Sequence, residues 1–197
     1  MGRFQNTGQP DWDWWGKLWP TPGATLRKLG LSSGDSLAEV GSGNGYFALP
    51  AARIVAPAPV YAIDLDADLL EELDQLAGQH GIGNIEPVHG DARSLGAHLS
   101  NPVDVALIAN SFHGVQNLTG FVDDVASTLA EDGRVTVVNW RDRPRETTTV
   151  GGEPRGPPTD LRLSADETQQ IVAEATDLTL SQHVDLPPYH YALTFER

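Results

Sequence analysis

Five short apolar runs, each followed by a glycine-rich or amphipathic stretch, set the rhythm of the chain. Residues 37–40 read as a buried strand interrupted by one charge, Glu39. Residues 60–63 form a second, ending at Asp64, and 85–89 a third, kept short by Pro87. The almost unbroken apolar run 103–109 suits a sheet centre, and 134–140 give a fifth strand after an Asp132-Gly133 turn. Helical spacing fills the gaps. One helix runs from about Phe47 to Ala56 and is stopped by Pro57 and Pro59, with Pro50 tolerated in its first turn. A second covers 67–80, with Asp66 as N-cap and Leu69, Leu70, Leu73 and Leu76 as its buried stripe. A third covers 118–129. Ser164-x-x-Glu167 is a capping box that opens a helix to about Thr176. Residues 178–186 and 189–196 then alternate as two strands joined through Pro187-Pro188, an antiparallel pair. Ahead of the first strand, 22–29 is helical and closes at Gly30.

Strands alternating with helices imply an α/β fold: a doubly wound, mostly parallel sheet with helices on both faces and right-handed crossovers. Ligands of such sheets lie outside the carboxyl ends of the strands. Glu39, Asp64, Asp91, Asn110 and Trp140 all fall at or near those ends.

The first strand leads into Gly41-Ser42-Gly43-Asn44-Gly45, a turn with almost no side-chain bulk. Alternate glycines permit positive φ and let a ligand lie against the backbone, with helix N–H groups facing it. Two kinds of nucleotide site use such turns. The dinucleotide pattern G-x-G-x-x-G would place its third glycine where Tyr46 stands. Glu39-x-Gly41-x-Gly43-x-Gly45 instead resembles motif I of the class I S-adenosylmethionine-dependent methyltransferases.

The resemblance extends along residues 34–140 and more loosely over 164–196. It implies that Asp64, about 20 residues after the turn, accepts the ribose hydroxyls, a role that dinucleotide enzymes also give to an acid there. It implies that Asp91, followed by Ala92, accepts the adenine amine; the alternative for Asp91 is a helix cap. It also implies a seven-stranded sheet whose reversed last strand inserts beside the fifth. The cofactor set expected for S-adenosylmethionine is Glu39, Gly41, Ser42, Gly43, Asn44, Gly45, Tyr46, Asp64, Leu65, Asp91, Ala92 and Asn110. Glu39 organises the turn or meets the amino group, and Asn110 lies near the sulfonium. A small-molecule acceptor is implied, because helix and loop segments rather than a recognition domain cover the site. An NAD-type oxidoreductase and a non-catalytic S-adenosylmethionine sensor remain alternatives.

Composition narrows the partners. One domain over 1–197 fits the length. Net charge is −14, from 27 acids and 13 bases, and only Lys17 and Lys28 are lysines. Such a surface repels phosphate backbones, so nucleic acid is not expected as a partner; it also suits a protein adapted to high salt. No cysteine is present, so no thiolate metal site or disulfide is expected. The first residues carry no apolar signal segment and no apolar run reaches about 18 residues, so a cytoplasmic, non-membrane protein is expected.

Three segments have chemistry of their own. Residues 1–10 are polar with Gly and Pro and are expected to be disordered at their start. Four of the five tryptophans fall within residues 11–20, in a Trp-rich helical cap over 1–33 that either packs its indoles on the domain or lines a pocket with them. Residues 141–163 read as one long substrate-side loop, with Arg141, Arg143, Arg145 and Arg155 among prolines and glycines. Arginines beside indoles suit an anionic or aromatic acceptor, and cap and loop are expected to order together around it. Two histidines are candidate bases, His113 four positions past the central strand and His190 on the reversed terminal strand. Imidazole titrates near neutrality, as a base for a hydroxyl or amine acceptor should. Each has a plainer alternative, a backbone hydrogen bond for His113 and packing for His190. His80, His89, His98 and His183 have no motif support.

Overall fold

A computed structural model describes residues 12–197, with side chains from Trp14 onward; the expectation for residues 1–10 lies outside the described residues. The strands are β1 (Leu37–Val40), β2 (Val60–Asp64), β3 (Ile85–His89), β4 (Val103–Ala109), β5 (Leu129–Trp140), β6 (Thr149–Val150), β7 (Glu153–Pro154), β8 (Thr179–Leu186) and β9 (His190–Glu196). The helices are α1 (Trp12–Leu18), α2 (Pro22–Lys28), α3 (Ala48–Val55), α4 (Ala67–Gln79), α5 (Leu118–Ser127) and α6 (Ala165–Ala175). Seven strands form one sheet in the order β3-β2-β1-β4-β5-β9-β8. The first five run parallel, and β9 is antiparallel to both β5 and β8. This is the doubly wound sheet with a reversed C-terminal strand that the alternation and the resemblance implied.

Period-two alternation sends side chains to two cores. Leu37, Leu107, Val138 and Trp140 face one core with α2, α3 and the tryptophans of the N-terminal segment. Ala38, Val40, Ile108 and Val137 face the other, with α5 and α6. Trp15 and Trp19 are buried, and Trp19 packs edge-on against Phe47 with ring centroids 5.8 Å apart. The local caps are those read from the sequence: Asp66 accepts from the N–H groups of Asp68 and Leu69, and Ser164 and Glu167 cap reciprocally.

Two stretches differ from expectation. Helix α5 stops at Ser127, and Leu129 already pairs with Val103 in the sheet before the register shifts to Val105–Arg134. Residues 141–163 are not one irregular loop. Strands β6 and β7 form a hairpin between single 3-10 turns at Arg145–Thr147 and Thr159–Leu161. Buried Arg162 knits them, donating to Thr148 Oγ1 at 2.9 Å and to the carbonyls of Arg155 at 3.1 Å and Pro157 at 3.2 Å. Its guanidinium lies 5.3 Å from the centroid of the Trp140 ring.

The turn after β1 shows why glycine is needed there. Gly45 has φ +91°, and a Cβ on it would sit 2.4 Å from Leu73 Cδ1 of α4. Gly45→Ala should therefore destabilise the fold by about 1–3 kcal/mol, through overpacking and backbone strain. A urea titration would show this as a lower midpoint at unchanged slope; an unmoved midpoint would mean that Leu73 swings aside without cost.

Candidate active site

A cavity of ≈ 930 Å³ opens outside the carboxyl ends of β1, β2, β4 and β5. Sheet geometry brings its polar groups together. Strand β1 delivers Glu39, which is 2% exposed with Oε2 bonded to no group among the described residues. Burial, and then the nearby Asp64 charge, push its carboxyl well above the usual carboxylate range. The turn that follows is pinned to β2: the N–H groups of Gly41 and Ser42 donate to the Ile63 carbonyl at 2.8 and 3.1 Å. Gly41 has φ +72°, and a Cβ there would lie 3.2 Å from that of Ser111. Ser111 Oγ donates to the Val40 carbonyl at 3.0 Å, tying the end of β4 to the same turn.

Strand β2 ends in Asp64. Its Oδ2 accepts the Gly43 N–H at 2.8 Å and its Oδ1 accepts the Asp66 N–H at 2.9 Å. Asp64 is thus both a wall of the cavity and the anchor of the glycine turn. Leu65 beside it also lines the cavity, and at 39% exposure it is the one large hydrophobic side chain left open to solvent among the described residues.

Strand β4 ends in Asn110, which carries φ +59°, the only positive φ of a non-glycine among the described residues. Asparagine tolerates that region better than most residues, yet such conformations persist where surrounding structure enforces them. Both ends of its side-chain amide are buried without a partner among the described residues. His113 follows on a short 3-10 turn and is 5% exposed. Its Nδ1 lies 3.2 Å from Asn139 Oδ1, and the same oxygen accepts the Trp140 N–H at 3.0 Å. The backbone N–H can only donate, so Asn139 must present oxygen, and His113 must carry its proton on Nδ1. Nε2 is left with a lone pair, buried and without a partner. Burial lowers the His113 pKa to about 4, so the expectation of titration near neutrality does not hold.

Not every expected site residue reaches the cavity. Glu39, Gly41, Ser42, Tyr46, Asp64, Leu65, Ala92, Asn110 and His113 line it. Gly43, Asn44 and Gly45 shape the turn from behind. Asp91 does not line the cavity, although its neighbours Gly90 and Ala92 do. Its carboxylate accepts the Arg93 N–H at 3.0 Å and ion-pairs with the Arg93 guanidinium, which holds it below the usual carboxylate range. The capping alternative describes that geometry. His190 is 1% exposed and packed between Trp19 and Trp140, with ring centroids 4.7 and 4.2 Å away. It is a core residue, because period-two alternation turns its side chain under the indoles rather than toward the mouth. Burial drives its pKa well down.

Asn139 was not singled out from the sequence, whereas the tryptophans and the arginines of 141–163 were. Asn139 sets the His113 tautomer from a neighbouring strand, and nothing local marks it. Trp14, Trp15 and Trp140 line the cavity, as do Arg145 and Arg155 of the folded 141–163 segment. Tyr46 donates its hydroxyl to the Trp19 carbonyl at 2.8 Å and holds the N-terminal segment down. The indoles therefore both pack on the domain and line the pocket.

A glycine turn at the carboxyl end of β1, acids on β1 and β2 and a reversed terminal strand define a Rossmann-like S-adenosylmethionine-dependent methyltransferase fold. Residues 37–133 match the family described as a methyltransferase domain, and the sheet has the Rossmann-like fold of the class I methyltransferases. It is 32% identical over 117 residues to a probable cobalt-precorrin-6B C(15)-methyltransferase (decarboxylating) of Methanosarcina mazei, a match covering 58% of this chain and 60% of that protein. The chain thus spans less than two thirds of that relative's length. Among solved structures it resembles a SAM-dependent methyltransferase from Aquifex aeolicus, with TM-score 0.76 at 20% identity and 89% of each chain covered. It also resembles magnesium protoporphyrin IX methyltransferase from Synechocystis with bound SAM, with TM-score 0.68 at 16% identity, covering 98% of this chain and 86% of that one. Among the described residues no helix is long and apolar enough to cross a membrane.

Proposed function

We propose that this chain is an enzyme that methylates a small-molecule acceptor with S-adenosylmethionine. One observation carries the reading: Glu39 Oε2 and the Asn110 amide are buried polar atoms with no protein partner, on adjacent strand ends of one cavity. Unpaired buried polar groups cost free energy, so they mark where a ligand completes the bonding. The donor set fits the cofactor. Glu39 takes the ammonium of the methionine part, and its raised pKa falls back as that charge arrives. The bare backbone of Gly41 and Ser42 admits the methionine chain, with Gly43, Asn44, Gly45 and Tyr46 fixing the turn. Asp64 keeps unused lone pairs that would take the ribose hydroxyls, Leu65 would cover the adenine, and Ala92 would lie at its edge, where Asp91 could accept the adenine amine only by giving up part of its pairing with Arg93. Asn110 lies beside the sulfonium.

The cofactor supplies an electrophilic methyl group, so the hard step does not fall to a side chain. What remains is alignment, exclusion of water and removal of one proton. Trp14, Trp15 and Tyr46 close the mouth against water. Rigid strand ends hold the walls in place, and alignment alone is worth up to ~7–11 kcal/mol of barrier in ideal cases. His113 is the base: Nδ1–H is fixed on Asn139, and Nε2 accepts the acceptor's proton. A weak base suffices for a hydroxyl acceptor, because its proton becomes strongly acidic as the oxygen gains a third bond and a positive charge. His190 is left out of the chemistry.

The same reading makes 1–197 one methyltransferase domain with residues 1–33 as its cap and 141–163 as its acceptor side. The net charge of −14 supports a soluble cytoplasmic enzyme suited to high salt that does not act on nucleic acid.

Titration calorimetry with S-adenosylmethionine, S-adenosylhomocysteine, NAD and ATP tests the reading. Micromolar binding of the first two, and none of the others, is the expected result. NAD binding without S-adenosylmethionine binding would overturn it. Tight cofactor binding with no methyl transfer to any acceptor would point to a sensor.

A further inference from the structure

The cavity is electrically divided. Glu39, Asp64, Asp66 and Asp68 lie at one end, and Arg145 and Arg155 at the other. In a protein with 27 acids and 13 bases, a guanidinium should find a carboxylate easily. Arg93, Arg134 and Arg141 do. Arg145, Arg155 and Arg162 have no acidic partner within ion-pair distance among the described residues. Arg145 spends its donors on the carbonyls of Gly156 and Pro154, at 3.1 and 3.2 Å. Among the described residues Arg155 makes no side-chain hydrogen bond, its Nε is buried, and its guanidinium sits 5.5 Å over the Trp14 ring. Arg162, behind them, has its pKa lowered by burial and by the Arg145 charge. Glu146 and Asp142 offset the Arg162 charge only from beyond ion-pair distance, so an anion entering the cavity meets two guanidinium groups, Arg145 and Arg155, that no carboxylate among the described residues pairs with.

The wall between the two ends is aromatic. Trp14 and Trp140 line it, 6.4 Å apart at 52°, and Gly156 lets the segment close on the Trp140 face, where a Cβ would come within 2.8 Å of the ring. An aromatic wall shared by a cavity that holds the base, His113, and a cationic end selects a molecule with an apolar ring and an anionic tail. Resting on the methyltransferase reading, we propose that the acceptor is an aromatic carboxylate whose carboxylate pairs with Arg155 and Arg145 and whose ring lies against Trp14 and Trp140. Arg155 offers a planar fork that matches a carboxylate. The ring then carries its hydroxyl or amine toward His113.

The probe is 6-hydroxy-2-naphthoate, titrated calorimetrically into the protein saturated with S-adenosylhomocysteine, beside 6-hydroxy-2-naphthamide and inorganic phosphate. The expected result is that the naphthoate binds at least tenfold more tightly than the amide and than phosphate. Arg155→Gln should weaken the naphthoate at least tenfold, bring it level with the amide, and leave S-adenosylhomocysteine affinity and the melting temperature unchanged. Arg155→Lys should fall between. Equal binding of naphthoate and amide, or an Arg155→Gln variant that binds like the wild type, would overturn the proposal. Phosphate binding as tightly as the naphthoate would also overturn it, assigning the cationic end to a phosphate ester. Failure of S-adenosylhomocysteine to bind in the first place would strike the methyltransferase reading itself, a result distinct from all of these.

Discussion

His113→Asn should lower turnover by ~10²–10⁴, the range for loss of a positioned general base, with the S-adenosylmethionine dissociation constant nearly unchanged. Asparagine is the discriminating substitution. Its amide nitrogen can stand where Nδ1 stands and still donate to Asn139 Oδ1, so the local hydrogen bond survives. What is lost is Nε2, the buried lone pair without a protein partner. Single-turnover kinetics with pre-bound cofactor isolate the chemical step. Full turnover in this variant would mean that transfer rests on alignment alone.

The pH dependence has a definite sign. His113 titrates at about 4 in the folded protein, and an unperturbed imidazole near 6.5. The lone pair is therefore present throughout the neutral range, and the rate should fall only as pH drops through about 4; the acid limb should vanish in His113→Asn. Stability follows the same shift. As pH falls below about 6.5 the unfolded chain takes up a proton that the folded chain refuses. Stability should therefore be lost between about pH 6.5 and 4 and be flat above that window as far as this group is concerned. Buried His190, depressed by the same desolvation, pulls in the same direction.

Local chemistry was legible in the sequence, and contacts between distant backbones were not. Asp66 and the Ser164–Glu167 box are caps because their partners lie within three residues. Strand edges were readable because apolar periodicity changes sharply at Asp64 and Asn110. The glycine turn was readable because little but glycine satisfies φ +72° and φ +91° with side chains of Ser111 and Leu73 so near. In contrast, the folding of 141–163 depends on Arg162 meeting carbonyls of Arg155 and Pro157, and a carbonyl is present at every residue. Proline and glycine content therefore suggested a loop where a knit segment stands. His113 and His190 looked alike in sequence. Only the placement of Trp19 and Trp140 on either side of His190 separates a core imidazole from one at the cavity wall. Arg93, two residues from Asp91, lies close enough in sequence to signal the ion pair, but a cap and an adenine contact both require Asp91 alone and neither calls for a guanidinium.

Asp64→Ala should reduce S-adenosylmethionine affinity at least about tenfold, because each lost charge-assisted bond is worth about 1.5–3 kcal/mol. The structure adds a second loss to that of the ribose. The Gly43 N–H, now bonded to Oδ2 at 2.8 Å, would face an apolar methyl, and the turn would lose its tie to β2 on that side. Gly41 and Ser42 would still be held by the Ile63 carbonyl, so the turn should loosen rather than unfold. Asp64→Asn separates the two contributions. Its single amide oxygen can keep the Gly43 bond, while its NH₂ meets the Asp66 N–H with the wrong polarity and cannot take a second hydroxyl proton. Calorimetry should therefore rank the affinities wild type, then asparagine, then alanine. Amide hydrogen exchange at Gly43 should be protected in the asparagine variant and fast in the alanine variant. If asparagine binds the cofactor as well as aspartate does, Asp64 serves the turn and not the ribose. If alanine does so too, Asp64 is no part of the site, and the unpartnered oxygen of Glu39 must organise it without that neighbour.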